Sequence, residues 1–403
     1  MDAVSTAAVR AVEVGSATSG GRLLELIRTG AARTRRELLE HTGLSRSTVA
    51  VRVEQLLAAG FVREVATETG ARGRPTARLA FNQRHGLVLG ADLGARHARA
   101  TVSDLAGAHL AERTVALRIT DGPDACLGWL QESWQAMLRD VGSDVPPVVG
   151  AGVGVPGPVD VETGRPVRPP IMPGWHDYPI KERLEEALGV PAFVDNDANL
   201  MALGEYLAAP TSSTSLLFVK VATGIGAGVI VNGQLVRGRH GGSGDIGHVR
   251  IADDGDGPSC ACGARGCLAA SASGGAIARA LAEEGLPVST SREAVDLARA
   301  GDPRAVALVR RSGLQIGDVL AAAVSLLNPG ALVVGGDVIR AQEHFMPALQ
   351  ERLHQRTQPL ATQDLQVSTS VLGDGAGVAG AVAMVVEAVY SAASVDLALA
   401  GAA

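Results

Sequence analysis

The chain has 403 residues and a formal net charge of −6, and it is rich in apolar residues and glycine but poor in aromatics. This length exceeds one ordinary core, so we expect two or three domains of a glycine- and alanine-rich α/β protein. The sequence opens without a basic and apolar leader, and Glu387 and Asp396 interrupt the apolar stretch at 376–400. From these features we expect no secretory leader, a buried helix rather than a membrane span at 376–400, and a cytoplasmic location.

Positive charge is concentrated near the N-terminus. Residues 1–20 are small and polar and are predicted to be disordered. Residues 21–85 contain twelve arginines and six glutamates, which leaves an excess of six positive charges on an otherwise acidic chain. This asymmetry is typical of a protein that binds nucleic acid at one end, although a solvated helical surface would show the same charge.

Three short helices are predicted in the basic segment. A leucine-rich first helix is followed by a second with Thr34 as its N-cap, and Ser45 caps a third helix, RSTVAVRVEQLLAAG. Gly43 lies where the intervening turn needs a positive φ. This pattern predicts a helix-turn-helix whose third helix reaches phosphates and base edges in a major groove. The predicted DNA contacts in the three helices are Arg35, Ser45, Arg46, Ser47, Thr48 and Arg52.

Two strands and a cationic tip follow the third helix. One strand begins at Phe61, the tip TGARGRPT covers 69–76, and the return strand ends at Phe81. Arg72 and Arg74 give the tip an extended, cationic shape that fits a narrow A·T minor groove, although a solvated hairpin tip is the alternative. Residues 21–82 are therefore predicted to form a winged helix-turn-helix that binds double-stranded operator DNA as an oligomer.

The remainder, 86–403, alternates strands with helices. A helix is predicted at about 124–141, and the strand pattern repeats in the second half. The predicted strands are Leu87–Leu93, Ala98–Ser103, His109–Leu117, Val148–Val155, Leu216–Val221, Gly228–Val231, Leu332–Gly335 and Leu365–Ser370. We expect a two-lobed α/β body with lobes at about 86–200 and 213–403.

Three of the four cysteines fall within eight residues, CACGARGC at 260–267, shortly after GDIGH at 244–248. Three thiolates and one imidazole suit a structural, tetrahedral Zn²⁺. The alternatives are a chance cluster or a disulfide, and a disulfide would leave one thiol over. The predicted ligands are His248, Cys260, Cys262 and Cys267.

Eight motifs occur in a fixed order along the body. They are GADLG near 90, GVGVPGPVD at 152–160, MPGW at 172–175, DNDAN at 195–199, ATGIGAGVIVNG at 222–233, GDIGHV at 244–249, CACGARGC at 260–267 and LVVGGDV at 332–338. In this order they resemble the ROK (repressor, open reading frame, kinase) family of sugar kinases and sugar-responsive repressors. The resemblance covers essentially the whole chain once the winged segment is included. It implies an actin-like, two-lobed ATPase (ribonuclease H-like) fold that closes on a sugar, with a zinc held by the His and three Cys.

The resemblance also implies roles for residues in the cleft between the lobes. Asp197 would be the general base that accepts the proton of an attacking sugar hydroxyl in a kinase. The implied sugar contacts are Gly157, Asn196, Asp197, Asp245 and His248. The implied phosphate and nucleotide loops contain Asp92, Gly94, Thr223, Gly224, Gly226, Gly335 and Gly336. On the residues alone, TGIGAG fits a tight hairpin turn equally well, and Asp197 fits an ordinary helix-start carboxylate.

Four departures from the kinase pattern oppose ATP and Mg²⁺ binding. Arg96 replaces a small, hydroxyl-bearing residue in the first phosphate loop, and Asp245 is one methylene shorter than the family glutamate. Ala269 and Ile171 stand where polar partners are expected. Each missing hydrogen-bond partner costs a hydroxyl-binding site roughly 1 kcal/mol, so transfer chemistry is impaired more than ligand binding.

The sequence therefore favours a DNA-binding transcriptional repressor of carbohydrate uptake or catabolism genes. A sugar or sugar phosphate would be the effector, and the assembly would be a homodimer or homotetramer. The alternative is an ATP-dependent hexose or amino-sugar kinase with a DNA-binding appendage. A third reading is a regulator that responds to a protein partner and has no small-molecule effector.

Overall fold

The structure is a computed structural model, and it describes residues 19–65, 77–208, 213–252 and 257–401. The predicted tail, except for its last two residues, and the wing tip with Arg72 and Arg74 lie outside these ranges. In the described part of the chain no single helix is long and apolar enough to cross a membrane. One pair of helices passes that test only when taken together, and the two bend by 50° between Val389 and Ala392.

The N-terminal part, called here the winged domain, contains three helices and a two-stranded antiparallel sheet. Its elements are α1 Gly20–Arg28, α2 Arg35–Thr42, α3 Arg46–Ala58, β1 Val62–Val65 and β2 Arg78–Phe81. The predicted helix signals act locally as expected. Thr34 forms a capping box with Glu37, Gly43 ends α2 with φ 68°, and the Ser45 side chain accepts a hydrogen bond from the Thr48 amide.

Lobe one of the body is a five-stranded mixed sheet with helices packed against it. Its elements are β3 Leu87–Leu93, β4 Ala98–Asp104, β5 His109–Val115, α4 Pro123–Val141, β6 Val148–Val155, α5 Ile180–Leu188 and β7 Ala192–Asn196. The strand order is β5-β4-β3-β6-β7, with β3, β6 and β7 parallel. The sequence analysis did not predict β7, which leads directly into the helix that begins at Asp197.

Lobe two repeats this plan. Its elements are α6 Asp197–Ala208, β8 Leu216–Val221, β9 Ile225–Val231, β10 Gln234–Leu235, α7 Leu268–Ala272, α8 Gly274–Glu283, α9 Ser291–Arg299, α10 Pro303–Leu327, β11 Ala331–Gly335, α11 Gln342–Arg356, α12 Pro359–Thr362, β12 Gln366–Thr369, α13 Ala376–Val389 and α14 Ala392–Gly401. The sheet order is β10-β9-β8-β11-β12. Two five-stranded sheets of matching order account for the predicted two-lobed body.

Helices α6 and α13 pack against each other between the two sheets. α6 contacts β8 and β9, whereas α13 contacts β3 and β6, so α13 packs against the lobe-one sheet although it follows lobe two in sequence. Glycines allow the close approach: a Cβ on Gly380 would lie 1.8 Å from the Leu200 carbonyl oxygen, and a Cβ on Gly204 would lie 2.4 Å from that of Ala376.

The winged domain and the body share one apolar core. Buried side chains of α1, α2, α3, β1 and β2 cluster with Val88, Val382, Val385 and Tyr390 of the body. Helix α14 packs on α1, and the Asp396 carboxylate accepts a hydrogen bond of 2.8 Å from the Gly21 amide. The winged domain is therefore completed by a helix that the sequence analysis assigned to lobe two.

Candidate DNA-binding face, metal cluster and interlobe cleft

Helix α3 has one buried and one exposed face, as its periodicity predicts. Val49, Val53 and Leu56 are buried in the shared core, and Arg46 and Ser47 are exposed on the first turn. The Ser45 hydroxyl caps the helix and shares hydrogen bonds of 2.8 Å with the hydroxyls of Ser47 and Thr48. The first turn thus presents a cation and a network of hydroxyls to solvent.

Two of the predicted DNA contacts are held by other parts of the winged domain. Arg35 forms ion pairs with Glu54 at 3.0 Å and with Glu64 at 2.7 Å. Arg52 is half-buried and donates to the Gln55 side chain at 3.0 Å on the side of α3 that faces α1. Arg46, Ser47 and Thr48 remain at the N-terminal end of the exposed face.

An aromatic cluster joins the winged domain to α13. His85 lies within hydrogen-bond distance of the Tyr390 hydroxyl, at 2.9 Å from Nδ1, and of the Ala59 carbonyl, at 3.2 Å from Nε2. Because a carbonyl only accepts, Nε2–H donates to the Ala59 carbonyl, and in a neutral imidazole Nδ1 then accepts from the Tyr390 hydroxyl. Phe61 and Phe81 pack edge-on against the Tyr390 ring. Burial raises the pKa of Tyr390 to about 12, so the phenol keeps the proton that it donates.

The four predicted metal ligands come together on one loop. Their ligand atoms all lie within 4.8 Å of one another, with Cys260 Sγ 3.5 Å from His248 Nδ1 and Cys262 Sγ 3.8 Å from Cys267 Sγ. Gly263 and Gly266 have φ values of 91° and 72°, which allow the loop to turn back on itself. The sequence analysis therefore identified a group of four residues that could hold a metal ion.

The donor set and the spacing fit a tetrahedral ion with sulfur and nitrogen ligands. Zn–S bonds of about 2.3 Å at tetrahedral angles place two sulfurs about 3.8 Å apart, far beyond disulfide length. Burial and the neighbouring thiols raise the pKa of Cys267 to about 12, so without a cation this thiol stays protonated. On the other side of the imidazole, His248 Nε2 lies 4.0 Å from an Asp245 carboxylate oxygen, which can orient the ring.

A buried cluster of two carboxylates and one lysine lies between the lobes. We call Asp92, Asp197 and Lys220 the acid–lysine cluster. Asp197 is the first residue of α6, Asp92 is in β3, and Lys220 is in β8 of the other sheet. The Lys220 ammonium donates a short hydrogen bond to the Asp197 carboxylate, and their side chains are 15% and 7% exposed. Burial lowers the pKa of a lysine, but Asp197 and Asp92 outweigh burial and raise the pKa of Lys220 above its usual value.

Lys220 was not identified from the sequence, although one signal was present. It is one of only two lysines in the chain and it interrupts the apolar run LLFVKV of β8. In the sheet it is paired with Gly226 on one side and Gly335 on the other, so its side chain emerges between two residues that have none. Asp197, the predicted general base, therefore contacts a lysine whose side chain is held in place by the sheet.

Among the predicted sugar contacts near Asp197, the polar atoms of Asn196 already form hydrogen bonds with other parts of the protein. The side-chain oxygen of Asn196, Oδ1, accepts hydrogen bonds from the backbone amides of Ala198 and Asn199. The side-chain nitrogen, Nδ2, donates to the Gly157 carbonyl at 3.0 Å. Asn196 thus acts as a helix cap and a tie to the loop after β6. The neighbouring Asp195 carboxylate is buried and is paired at 2.6 Å with the half-buried Arg237, a second ion pair that the sequence analysis did not predict.

The predicted phosphate loops have structural roles in this fold. Thr223 and Gly224 form the hairpin turn between β8 and β9, where the Gly224 carbonyl accepts from the Ala222 amide. Gly336 has φ 88°, and a Cβ there would lie 2.6 Å from the Val221 carbonyl oxygen, while a Cβ on Gly335 would meet Phe218 at 2.5 Å. Contacts within the sheet therefore already require glycine at 335 and 336.

The first phosphate loop is the turn between β3 and β4. Arg96 is exposed on this turn, whereas His97 Nε2 lies 3.5 Å from the Asp92 carboxylate. A Cβ on Gly94 would lie 2.1 Å from the His97 ring, so the glycine makes room for that ring. Of the two basic residues on the turn, His97 is the one that contacts Asp92. Ile171 and Ala269 pack at the edges of the lobe-one and lobe-two cores, as their apolar side chains allow.

Comparisons with known proteins agree with this architecture. The model of the ROK family matches residues 88–388, and a model described as winged helix-turn-helix DNA-binding matches residues 20–63. The xylose repressor of Bacillus spizizenii is 28% identical over 366 residues, which are 91% of this chain and 94% of that protein.

Two solved structures show the same fold. A ROK family transcriptional regulator, a homologue of the Escherichia coli MLC protein, superposes with a TM-score of 0.79 at 24% identity over 94% of this chain and 98% of that chain. A ROK family glucokinase from Streptomyces griseus, in complex with glucose and AMPPNP, has a TM-score of 0.62 at 29% identity over 74% of this chain and 99% of that chain. The chain therefore belongs to the ROK family and carries a winged helix-turn-helix packed onto its actin-like body.

Proposed function

We propose that this protein is a cytoplasmic, sugar-responsive transcriptional repressor that binds operator DNA upstream of carbohydrate uptake or catabolism genes. The observation that carries the proposal is the shared core. The DNA-binding helices are packed onto the same helix, α13, that lines the acid–lysine cluster: a Cβ on Gly377 would lie 2.6 Å from the Asp92 carboxyl carbon. The likeness to the Bacillus xylose repressor extends over 91% of this chain and so supports the same assignment.

The cleft is proposed to bind a sugar or a sugar phosphate without transferring phosphate to it. A general base must be free to accept the proton of the attacking hydroxyl. Asp197 is instead paired with Lys220, and the Asn196 side chain is used within the protein. Asp245 and His248 remain candidate sugar contacts, whereas both backbone polar groups of Gly157 already have partners within the protein.

The ligand is proposed to act by shifting a population of two arrangements of the lobes. A ligand can favour one arrangement only if it binds that arrangement more tightly than the other. α13 reaches from Gly377, beside Asp92, to the aromatic cluster around Tyr390. A small rotation of this helix would therefore reorient the winged domain, and a homodimer or homotetramer would convert the rotation into a change of half-site spacing.

Zinc is the metal proposed for the four-ligand loop. His248, Cys260, Cys262 and Cys267 would hold it, and a fully coordinated ion would stabilise the loop without taking part in chemistry. Gly247 packs against β9, where a Cβ would lie 2.2 Å from the Ile225 carbonyl oxygen. Since α6 packs on the same strand, the metal loop would hold Asp245 in place beside the cleft.

Two measurements test this proposal. A thermal-shift screen of sugars and sugar phosphates should identify a ligand that raises the melting temperature. The same ligand should change the affinity of the full-length protein for an operator duplex selected from random sequence. Affinity should fall steeply with salt because arginine contacts to phosphate release counterions. Duplex binding that does not depend on salt, or that survives replacement of Arg46 and Ser47 together, would contradict the proposal.

The second candidate is an ATP-dependent hexose or amino-sugar kinase. Asp197 at the start of α6 and the likeness to a glucokinase with bound glucose and AMPPNP favour it. A coupled assay of ADP release across a panel of sugars distinguishes the two functions. Turnover that is abolished by Asp197→Asn would establish the kinase and overturn the repressor-only reading of the cleft.

A further inference from the structure

The middle of the exposed face of α3 is apolar. Residues 46, 47, 50, 51 and 54 recur at helical spacing on the side opposite the buried valines. Val51 is 57% exposed, and its neighbour Ala50 is exposed as well. A branched aliphatic side chain on a solvated helix face contributes neither to the core nor to helix propensity. Because Val51 does not serve the fold, its side chain is free to contact another molecule.

The surroundings of Val51 indicate which kind of surface it meets. Arg46 and Ser47 are exposed one turn before it, and the N-terminal end of α3 carries the positive end of the helix dipole. Glu54, one turn later, is ion-paired at 3.0 Å with Arg35, which it shares with Glu64, so its negative charge is partly offset. An apolar side chain that follows a cationic helix start matches a DNA major groove, where phosphates border the base edges.

Thymine offers the apolar partner in that groove. Its 5-methyl group is the one apolar substituent that the four base pairs display on their major-groove edges. We propose that Val51, with Ala50 beside it, packs against the 5-methyl group of a thymine in each operator half-site. This inference rests on operator binding as proposed above and adds the identity of one base that the protein reads.

The experiment compares thymine with uracil, which lacks only the methyl group. Full-length protein selects duplexes from random sequence, and each thymine of the selected half-site is then replaced by uracil in turn. Losing contact with one methyl group should weaken binding by the wild-type protein about fourfold at one position. Val51→Ala should bind the thymine duplex about fourfold more weakly than wild type and should show no further loss with uracil at that position.

A matched control uses the same substitution elsewhere. Val371 is 70% exposed in lobe two, so Val371→Ala makes the same chemical change outside the winged domain and should keep the full uracil penalty. Val51→Thr retains one of the two methyl groups and should show an intermediate penalty. Because Val51 is exposed, the alanine variant should melt at the wild-type temperature, so its binding loss reports on the contact.

Several outcomes would overturn the inference. One is a wild-type protein that loses no affinity at any uracil position, and another is a Val51→Ala variant with an unchanged uracil penalty. A change of oligomeric state in Val51→Ala, with the uracil penalty retained, would show instead that a second copy of the chain covers this face. If the wild-type protein selects no duplex at all, the proposed function fails together with this inference.

Discussion

Replacing Lys220 by methionine would remove the ammonium group that faces two carboxylates of the acid–lysine cluster. The two partners, Lys220 and Asp197, are 15% and 7% exposed, so the pair is buried. Removing one partner of a buried ion pair costs about 3–5 kcal/mol because the remaining charge is left without compensation. With an unfolding entropy of about 2.1 cal/mol/K per residue over a body of about 300 residues, the melting temperature should fall by about 5–8 °C.

The assay is thermal unfolding of the wild type, Lys220→Met, Asp197→Asn and the double variant at pH 7. The double variant should recover most of the loss, because it removes the uncompensated charge together with the ammonium. Asp197→Asn alone should cost less than Lys220→Met, since Lys220 still faces Asp92.

The loss of stability in Lys220→Met should become smaller at lower pH. Burial raises the pKa of Asp197 even with Lys220 present, and without Lys220 the shift grows. In the variant the folded state then binds a proton more readily than the unfolded state does. The deficit of Lys220→Met relative to wild type should therefore shrink as the pH falls from 7 towards 5. A Lys220→Met variant that melts within about 1 °C of wild type, or a double variant no more stable than the single one, would refute this account.

Three further predictions concern the metal loop, the junction and the central helices. Cys262→Ser should abolish stoichiometric zinc binding and lower the melting temperature as much as a chelator does for the wild type, and a chelator should leave the variant unchanged. Tyr390→Phe should destabilise the protein by about 1 kcal/mol, because His85 loses its hydroxyl partner; equal unfolding midpoints in urea would contradict that hydrogen bond. Gly380→Ala should destabilise by at least about 2 kcal/mol, measured by the same urea titration, because the new methyl group would lie 1.8 Å from the Leu200 carbonyl oxygen; a neutral effect would show that α6 and α13 are not in close contact.

Features set by neighbouring residues were predictable from the sequence. Thr34, Gly43 and Ser45 act within a few residues of their own position, and the spacing of His248 and the cysteines already places four ligands on one short loop. The strands of both lobes were predicted, except β7 and β10. The sequence of β7, AFVDN, is short and ends in polar residues, and β10 contains only Gln234 and Leu235.

Features set by packing between distant segments could not be predicted in this way. Lys220 meets Asp197 because two sheets and α6 come together, and neither residue's neighbours in sequence indicate the pairing. The periodicity of α3 gives its buried face, but it does not show that Arg52 lies against the start of α1. The same holds for Asn196, whose side chain is used by a loop that precedes it by 39 residues.

The hydrogen bond between Gly21 and Asp396 joins residues 375 positions apart, so the first and last described helices depend on each other. At roughly 5–20 residues per second, a ribosome makes α14 about 20–75 s after α1. During that interval the nascent winged domain lacks the helix that covers it, and a product cut short before residue 392 would never acquire it. We therefore expect the winged domain to reach its full stability only on polypeptides whose translation has passed through the whole body.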